Sequence, residues 1–432
     1  MSVNVFWFRR DLRLEDNVGL YNALKQEKKV IPIFIFDKEI IDKLEKDDPR
    51  LFFISEQLIK INNKLKEFGS SLAIFYGTPK DVFLKFIEEN EITAVYTNHD
   101  YEPYAIFRDN EINSVLIEKG IEFNTYKDQV IFEKNEVTKD DGLPYIVYTP
   151  YSKKWRIKLA EQSFVVSQSE KLLNNSATHN YPFFSCEEIG FKSSKIKVKN
   201  YLLSDEIIDL YDDRRNFPCI EGTSSISPHL RFGTISIREV VNRALKSKKE
   251  TFLKELIWRE FFMQILWHFP HTTHKSFKPK YDLIKWRNNE EEFELWCNGQ
   301  TGYPLVDAGM RQLNTTGYMH NRVRMVVASF LCKHLLIDWR WGEAYFANKL
   351  LDYEQASNVG NWQWAAGSGV DAAPYFRIFN PSEQLKKFDS KAEYINEFVE
   401  DYKELTYSKP IVEHVFARER CLNEYKKALK ES

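Results

Sequence analysis

Lys29 to Asp37 read KVIPIFIFD, an almost unbroken apolar run that ends on an aspartate. A short run rich in isoleucine and phenylalanine is typical of a strand that is buried on both faces of a sheet. Three similar runs occur nearby, and amphipathic stretches with helical spacing separate or follow them. Strands that alternate with helices predict a parallel, doubly wound α/β sheet. The other runs are NVFWF (4–8), SLAIFYG (71–77) and ITAVYTN (92–98), and the helical stretches are 17–26, 51–68, 80–89 and 104–119.

The edge of this sheet predicts where a ligand would bind. Ligands of doubly wound sheets lie beyond the carboxyl ends of the strands, which here means near residues 8–13 and 36–38. No GxGxxG sequence follows the first strand, and no Walker loop occurs in the chain. The sequence therefore does not support a standard dinucleotide or triphosphate site.

The pattern changes twice along the chain, which predicts three parts. Residues 1–128 form the α/β domain, and residues 129–200, rich in Lys, Ser, Asn and Pro, form a surface connector. Residues 201–432 form a larger all-α domain, because helical periodicity dominates there. Its clearest helices are TFLKELIWREFFMQILWHF (251–269), MHNRVRMVVASFLCKHLL (319–336) and AEYINEFVEDY (392–402).

Composition limits the class of protein. The 432 residues carry a net charge of -2, which argues against a sequence-blind DNA coat. Residues 1–130 hold 18 Lys and Arg against 23 Asp and Glu, whereas the remainder holds 43 against 40, so a DNA surface is expected in the second part. Five scattered cysteines without a CxxC motif indicate reduced thiols and no metal site. No signal-peptide core or membrane-length apolar run occurs, so we expect a cytoplasmic protein without a membrane partner. A DNA-facing cavity would need no partner subunit, so we also expect a monomer.

Charged residues in apolar helices are the first functional candidates. Glu255, Trp258 and Arg259 share a helix face, which an ordinary intrahelical Glu–Arg pair beside a buried Trp would also explain. Asn321, Arg324 and Met325 share another face, with Arg322 offset from it. Arg324 opens the apolar run MVVASFL, where a guanidinium without a partner would be costly, and Asp352 is its expected partner. His320 is expected to be structural.

Hydroxyl groups and indoles supply further candidates. Thr223, Ser224, Ser225 and Ser227 precede a helical pattern, where free backbone N–H groups suit a phosphate. Ordinary N-capping would need only one of these hydroxyls, so the cluster favours an anion. Trp286, Trp339 and Trp362 lie on separate segments, and packing alone would explain each of them.

Several long motifs carry a resemblance to a known family. The chain resembles the photolyase/cryptochrome family, and most closely the class I photolyases that repair cyclobutane pyrimidine dimers in DNA. The motifs are FWFRRDLRLEDN (6–17), EGTSSISPHLRFG (221–233), ELIWREFF (255–262), TGYPLVDAGMRQLNTTGYMHNRVRM (301–325), NVGNWQWAAGSGVDAAPYFRIFNP (358–381) and FNPSEQLKKFD (379–389).

The resemblance implies light-driven repair of UV-damaged DNA. In such enzymes, excited reduced FAD (FADH⁻) passes an electron to a flipped-out dimer, the cyclobutane ring splits, and the electron returns. The family's FAD lies in the helical domain, with Asn358 facing flavin N5. The implied FAD-binding residues are Tyr211, Thr223, Ser224, Ser225, Ile226, Ser227, Phe252, Arg259, Tyr318, Asn321, Arg324, Asp352, Glu354 and Asn358.

The resemblance also assigns substrate and electron-transfer residues. Glu255 would hydrogen-bond the dimer, Trp258 and Trp364 would wall its pocket, and Met325 would cover it. Aromatic and apolar walls help offset the loss of base stacking when a base is flipped. The implied contacts to DNA further include Arg215, Asn321, Arg322 and Gln384, and the implied photoreduction chain is Trp362, Trp339 and Trp286.

Departures from the family pattern leave alternatives open. Phe252 and Tyr318 replace Trp, and Glu354 replaces Asp, all conservatively. Tyr104 and Ala105 stand where folate-binding members carry Asn and Glu, which disfavours a folate antenna and leaves a deazaflavin, another flavin or no antenna chromophore. A cryptochrome, with FAD and no repair, is the main alternative, and the short stretch after the last motif argues against its signalling tail. A (6-4) photolyase is disfavoured, because Asn321 follows His320 where those enzymes have a histidine pair.

Overall fold

The structure is a computed structural model that describes residues 2–162, 164–181 and 183–430. Two compact units make up the chain, and each is interleaved in sequence with the other. The sheet unit comprises Met1–Glu136, Trp155–Tyr201 and Ser225–Lys246, and the helical unit comprises Val137–Lys154, Leu202–Ser224 and Ser247–Ser432. The sequence analysis predicted three contiguous parts with boundaries at 128 and 200, whereas the two compact units are defined by contacts between residues. The three-part division therefore stays a prediction. Glu431 and Ser432, at the end of the predicted helical domain, lie outside the described residues.

Five parallel strands form the sheet of the first unit, in the order β3-β2-β1-β4-β5. Their bounds are Val3–Phe8 (β1), Val30–Asp37 (β2), Ala73–Gly77 (β3), Ile92–Asn98 (β4) and Glu122–Tyr126 (β5). All eight residues of β2 are buried, as its apolar run predicts. The predicted doubly wound α/β sheet is confirmed, with the strand order reversing between β1 and β4. The edge strand β5 was missed because the sequence EFNTY is largely polar and half exposed.

The helices follow in chain order, and proline or a polar cap begins many of them. Among the described residues the α-helices are Val18–Leu24 (α1), Lys38–Ile41 (α2), Pro49–Lys66 (α3), Pro79–Glu89 (α4), Pro103–Glu118 (α5), Tyr148–Glu161 (α6), Asp205–Arg214 (α7), Ser227–Phe232 (α8), Ile237–Ala244 (α9), Thr251–His268 (α10), Glu290–Cys297 (α11), Pro304–Thr316 (α12), Asn321–Ser329 (α13), Trp339–Lys349 (α14), Gln355–Ala366 (α15), Pro381–Phe388 (α16), Glu393–Phe398 (α17) and His414–Lys430 (α18). Short 3-10 turns occur at Ser169–Asn175, Pro270–Thr273, Pro279–Leu283 and Glu400–Lys403.

The helix predictions are confirmed in different degrees. The helix expected over 251–269 is α10, and the one expected over 319–336 is α13 continued by a π-helical turn at Phe330–Leu335. The segment 392–402 forms only the short α17 and a 3-10 turn. The connector expected over 129–200 is not irregular throughout, because it contains α6. Tyr151 and Trp155 lie one turn apart in α6 and are buried, which anchors that helix.

A buried ion cluster stabilises the sheet unit. Arg13 and Arg238 both donate to the Asp128 carboxylate, each with a 2.8 Å bond, and Arg238 also donates to the Asp16 carboxylate at 2.8 Å. All four side chains are at most 7% exposed. The two arginines hold the pKa of Asp128 below its usual value against the effect of burial. These charges are paired within the protein, so they serve the fold.

The helical unit is built around one large apolar cluster to which α12, α13, α14 and α15 contribute. Trp296, Trp339 and Trp362 are among its fully buried side chains. All five cysteines are free thiols. Within the described ranges, no helix is both long enough and apolar enough to cross a membrane. The apolar cluster therefore forms the rigid support for the polar residues that α13 and α15 present.

Candidate cofactor and substrate site

A cavity of about 100 Å³ opens in the helical unit between α13, the end of α14 and α15. From α13 it is lined by Asn321, Arg324, Met325 and Ala328, which are spaced as one helix face. Arg322 does not line the cavity, in agreement with the prediction that it lies off the helix face of Asn321, Arg324 and Met325. The remaining lining residues are Phe346, Leu350, Asp352, Tyr353, Glu354, Ser357, Asn358, Asn361, Trp362, Trp364 and Ala365. An apolar and aromatic lining with a few placed polar groups suits an organic cofactor.

An ion pair lies on the cavity wall. Arg324 donates to Asp352 Oδ2 at 3.0 Å and to the Met319 carbonyl at 2.7 Å, and its guanidinium lies 5.4 Å from the centre of the Tyr318 ring. Burial lowers the pKa of Arg324, but the nearby Asp352 carboxylate outweighs it and the pKa is raised overall. The partner that the sequence predicts for Arg324 is therefore present.

A second pair joins α10 to the same wall. Arg259 donates to Glu354 Oε1 at 3.2 Å, and Ser357 donates to Glu354 Oε2 at 3.1 Å. The Glu354 side chain is 6% exposed and that of Arg259 is 13% exposed. Arg259 thus pairs with a residue distant in sequence and not within its own helix, so the intrahelical explanation is wrong for it. The Glu at position 354 keeps the carboxylate that an Asp would supply.

Asn358 is fixed by a residue that the sequence did not single out. Its Nδ2 group donates to Glu343 Oε1 at 2.9 Å and to the Glu343 carbonyl at 3.1 Å. This leaves the side-chain oxygen of Asn358 as the acceptor for a ligand in the cavity it lines. Burial raises the pKa of Glu343. Nothing in the sequence marked Glu343, because a glutamate in an exposed helix pattern is common.

Glu255 lies in a separate polar group on α10. It forms an ion pair with Arg215, whose guanidinium lies 5.7 Å from the centre of the Tyr211 ring. Tyr211 also meets Phe252 edge to face at 5.3 Å between ring centres. Glu255 therefore pairs with Arg215 and not with Arg259. The structure thus brings together two predicted FAD-binding residues, Tyr211 and Phe252, and two predicted DNA-binding residues, Arg215 and Glu255.

Positive charge collects near this group. Arg322 donates to Asn216 Oδ1 at 2.6 Å and lies 4.5 Å from the centre of the Phe388 ring. Burial lowers the pKa of Arg322, and the charges of Arg215 and Arg377 lower it further. Guanidinium groups that repel one another in this way are suited to an anion such as a DNA phosphate. Gln384 lies half-buried on α16, next to Phe388 in the same helix.

The hydroxyl cluster differs from the expected helix start. Ser227 begins α8, a helix of six residues whose cap residue is Ile226, and no side chain caps it. Ser225 adopts a left-handed backbone with φ of 51°. Thr223 and Ser224 belong to the helical unit, and 225–227 to the sheet unit. The hydroxyls do not serve as N-caps, and their joint phosphate role stays a prediction. His320 is structural as expected, since its Nδ1 accepts from Arg322 N at 3.2 Å.

The predicted electron-transfer residues share one cluster. Trp362 and Trp339 are buried in it, and Trp286 is half-buried and packs against it. Trp296, which the sequence analysis did not select, has its ring centre 6.2 Å from that of Trp362. The structure brings the three predicted indoles to one part of the helical unit, and their order in a chain stays a prediction.

Comparisons with known proteins agree with this arrangement. Residues 4–168 match the family model described as DNA photolyase, and residues 252–406 match the FAD binding domain of DNA photolyase. A deoxyribodipyrimidine photo-lyase of Halobacterium salinarum is 34% identical, with 99% of each chain covered. The chain belongs to the photolyase/cryptochrome family. That family includes the class III photolyase of Agrobacterium tumefaciens, whose crystal structure is 33% identical with a TM-score of 0.89, covering 100% of this chain and 98% of that one.

A second solved photolyase concerns the cofactors. The archaeal photolyase of Sulfolobus tokodaii was crystallised with two FAD molecules, with the implication of a novel light-harvesting cofactor. It is 36% identical, has a TM-score of 0.80, and covers 99% of this chain and 100% of its own. For the present chain, the motifs predict a class I photolyase, and this class assignment stays a prediction.

The cavity of this family member fits FAD. Its wall combines aromatic rings with one oriented amide, Asn358, and one ion pair, Arg324–Asp352. Flat cofactors bind against such surfaces, and the few placed polar groups tune their ring atoms. The lining of the cavity includes eight predicted residues, namely Asn321, Arg324, Met325, Asp352, Glu354, Asn358, Trp362 and Trp364. Trp258 is not among the lining residues, and neither is Glu255.

Proposed function

We propose that this protein is a deoxyribodipyrimidine photo-lyase, which repairs cyclobutane pyrimidine dimers in UV-damaged DNA with light. The single observation that carries the proposal is the cavity that joins the Arg324–Asp352 pair, the oriented Asn358 amide and Trp364 on one wall. Relatives named deoxyribodipyrimidine photo-lyase align over nearly the whole chain, which supports the same activity. Bound reduced FAD supplies, on absorbing light, the electron that splits the cyclobutane ring.

The residues of the chain hold the cofactor and tune it. The side-chain oxygen of Asn358 would accept a hydrogen bond from the ring nitrogen N5, and Glu343 holds the amide so that this oxygen is available. Arg324 and Asp352 would bind the polar edge of the ring system, and Arg259, paired with Glu354, would make a further contact with the cofactor. A hydroxyl of Thr223 or Ser224 and the phenol of Tyr211 would hold the phosphates and the ribityl chain. The amide carries no charge, so it supports the reduced ring without forcing a proton onto it.

Other residues receive the dimer. Trp258 and Trp364 wall its pocket, Met325 covers it, and Glu255 hydrogen-bonds it while Arg215 holds the Glu255 carboxylate in place. A dimer is poorly stacked in its duplex, so its extrusion into the pocket costs less than that of a normal base, for which the cost is a few kcal/mol. The further contacts to DNA come from Arg215, Asn321, Arg322 and Gln384.

We also propose an antenna chromophore, a cellular compartment and an oligomeric state. Tyr104 donates to Asp37 Oδ2 at 2.6 Å, just beyond β2, where a ligand of the sheet would bind. Because Tyr104 and Ala105 stand where folate-binding members carry Asn and Glu, we propose that any antenna is a deazaflavin or a second flavin and not a folate. The five free cysteines favour a reducing compartment, and we propose a cytoplasmic monomer.

Light-dependent repair tests the proposed function. Chemically reduced protein is mixed with far-UV-irradiated plasmid DNA, and the dimers are counted after blue light and after darkness. The proposal predicts loss of dimers in the light alone, and a slower loss for Glu255→Ala with FAD content unchanged. Glu250→Ala, an exposed carboxylate just before α10, is the matched control. Bound FAD without any light-dependent loss would instead indicate a cryptochrome.

A further inference from the structure

Trp258, a predicted wall of the dimer pocket, carries an aromatic partner that has no assigned role. The ring of Tyr148 stacks on Trp258 with ring centres 3.8 Å apart and planes 5° from parallel. Phe261 and Phe262 contact the same indole at 5.6 Å and 5.5 Å between ring centres. Among these neighbours only Tyr148 lies parallel to the indole, and its ring therefore covers one face.

Two polar anchors hold Tyr148 in place. Its hydroxyl donates to the Lys254 carbonyl at 2.9 Å, one turn before Trp258 in α10. Its backbone N–H donates to Asp371 Oδ2 at 3.1 Å, in the loop that follows Trp364 and α15. Tyr148 is also the first residue of α6. Tyr148 is therefore held both at its hydroxyl and at its backbone, which suits a fixed support for the indole.

We infer that Tyr148 is a positioning residue for dimer recognition, which fixes the plane of Trp258. This inference rests on the proposed function, because it takes Trp258 as a wall of the dimer pocket. An aromatic platform binds a flat base well only if its plane is set before binding, since ordering it afterwards reduces affinity. Tyr148 also connects α10 to the loop that follows α15, the helix that carries Trp364.

A binding experiment with a double-mutant cycle tests this inference. The probe is an oligonucleotide that carries one thymine dimer, titrated in the dark against the undamaged oligonucleotide. Tyr148→Leu is expected to weaken dimer binding by about 3- to 10-fold, the usual worth of an aromatic pair. Binding of undamaged DNA and FAD content are expected to stay unchanged. Tyr148→Phe keeps the stack but loses the bond to the Lys254 carbonyl, so it is expected to bind the dimer more tightly than Tyr148→Leu but no more tightly than the wild type. Tyr145→Leu, the control, removes a ring of the same segment that contacts Tyr151 instead.

The cycle separates positioning from direct contact. If Tyr148 acts through Trp258, the double variant Tyr148→Leu/Trp258→Leu binds the dimer no more weakly than Trp258→Leu alone. Additive losses, equal losses on undamaged DNA, or tighter dimer binding by Tyr148→Leu would each overturn the inference. Failure of the proposed function is distinguishable, because the wild-type protein would then show neither preference for the dimer nor light-dependent repair.

Discussion

Buried arginine–carboxylate pairs occur in both compact units, but their surroundings differ. In the sheet unit, Arg238 donates to the carboxylates of Asp16 and Asp128 and to both of their carbonyls, and its side chain is 6% exposed. In the helical unit, Arg324 pairs with Asp352, keeps 23% of its side chain exposed, and lines a cavity. A buried charge whose partners are all within the packed core stabilises the fold, whereas a charge on a cavity wall is available to a ligand. Only the surroundings, and not the residue types, distinguish the two.

The largest expected effect is on the fold of the sheet unit. Asp128→Ala leaves Arg13 and Arg238 buried without their shared carboxylate, and we expect it to lower the free energy of unfolding by about 3–5 kcal/mol. Denaturant unfolding measures this. The exposed pair Glu239–Arg243 is the control, and Glu239→Ala should cost no more than about 1 kcal/mol. Equal effects of the two substitutions would contradict a structural role for the buried cluster.

Lys333 is a third kind of buried charge, because its hydrogen bond goes to a backbone carbonyl and not to a carboxylate. Lys333 is 2% exposed, its amino group donates to the Arg377 carbonyl at 2.8 Å, and burial lowers its pKa to about 8. Below pH 8 the charge destabilises the folded state, and this penalty disappears as the pH rises to about 10.5, the pKa of an exposed lysine.

Lys333→Met removes that penalty. We expect this variant to be more stable than the wild type at pH 7 by at most about 3 kcal/mol, with the difference closing between pH 8 and pH 10.5. Thermal or denaturant unfolding across that range measures it, with exposed Lys43→Met as control. A difference that does not change with pH would mean that the Lys333 charge has no effect on stability.

The cavity pair should affect the cofactor and leave the sheet unit unchanged. Asp352→Asn removes the charge that partners Arg324, and a hydrogen bond to a charged group contributes about 1.5–3 kcal/mol. We therefore expect FAD binding to weaken by about 10- to 150-fold, measured by titration of the protein stripped of flavin. Asp128→Ala should keep its FAD affinity where it stays folded. FAD affinity unchanged in Asp352→Asn would place the cofactor elsewhere.

The smallest expected effect on repair itself belongs to Trp362. Trp362→Phe should block photoreduction of oxidised flavin and leave repair by chemically reduced protein intact, because the residue supplies electrons and does not hold the dimer. Flash absorption of the flavin measures photoreduction, and counting the remaining dimers measures repair. Trp296→Phe, in the same apolar cluster, is the matched control and should retain photoreduction. If Trp296→Phe loses photoreduction and Trp362→Phe keeps it, the electrons pass through Trp296 and not through Trp362.

Much of the fold followed from periodicity. The apolar runs predicted four of the five strands, and the spacing of α10 and α13 predicted which faces carry Glu255, Trp258, Arg324 and Met325. The polar edge strand β5 and the helix α6 could not be predicted, because tertiary packing and not local pattern stabilises them.

Part of the site also lay beyond the sequence. Arg324 needed an anion because it opens an apolar run, and Asp352 was the expected one. Glu343 and Tyr148 act through contacts with residues distant in the chain, and no local spacing marks such residues. The pairing of Arg259 with Glu354 and of Glu255 with Arg215 likewise replaces the local pairing that an i, i+4 pattern suggests.

The central claim is that the cavity of the helical unit holds the FAD that drives repair. The most direct test counts the dimers lost from far-UV-irradiated DNA per molecule of bound reduced FAD, in blue light and in darkness, for the wild type and for Asp352→Asn. The claim predicts loss only in the light, in proportion to bound FAD, and little loss from Asp352→Asn until excess FAD is added. Dimer loss that is independent of bound FAD, or bound FAD with no dimer loss in the light, would contradict it.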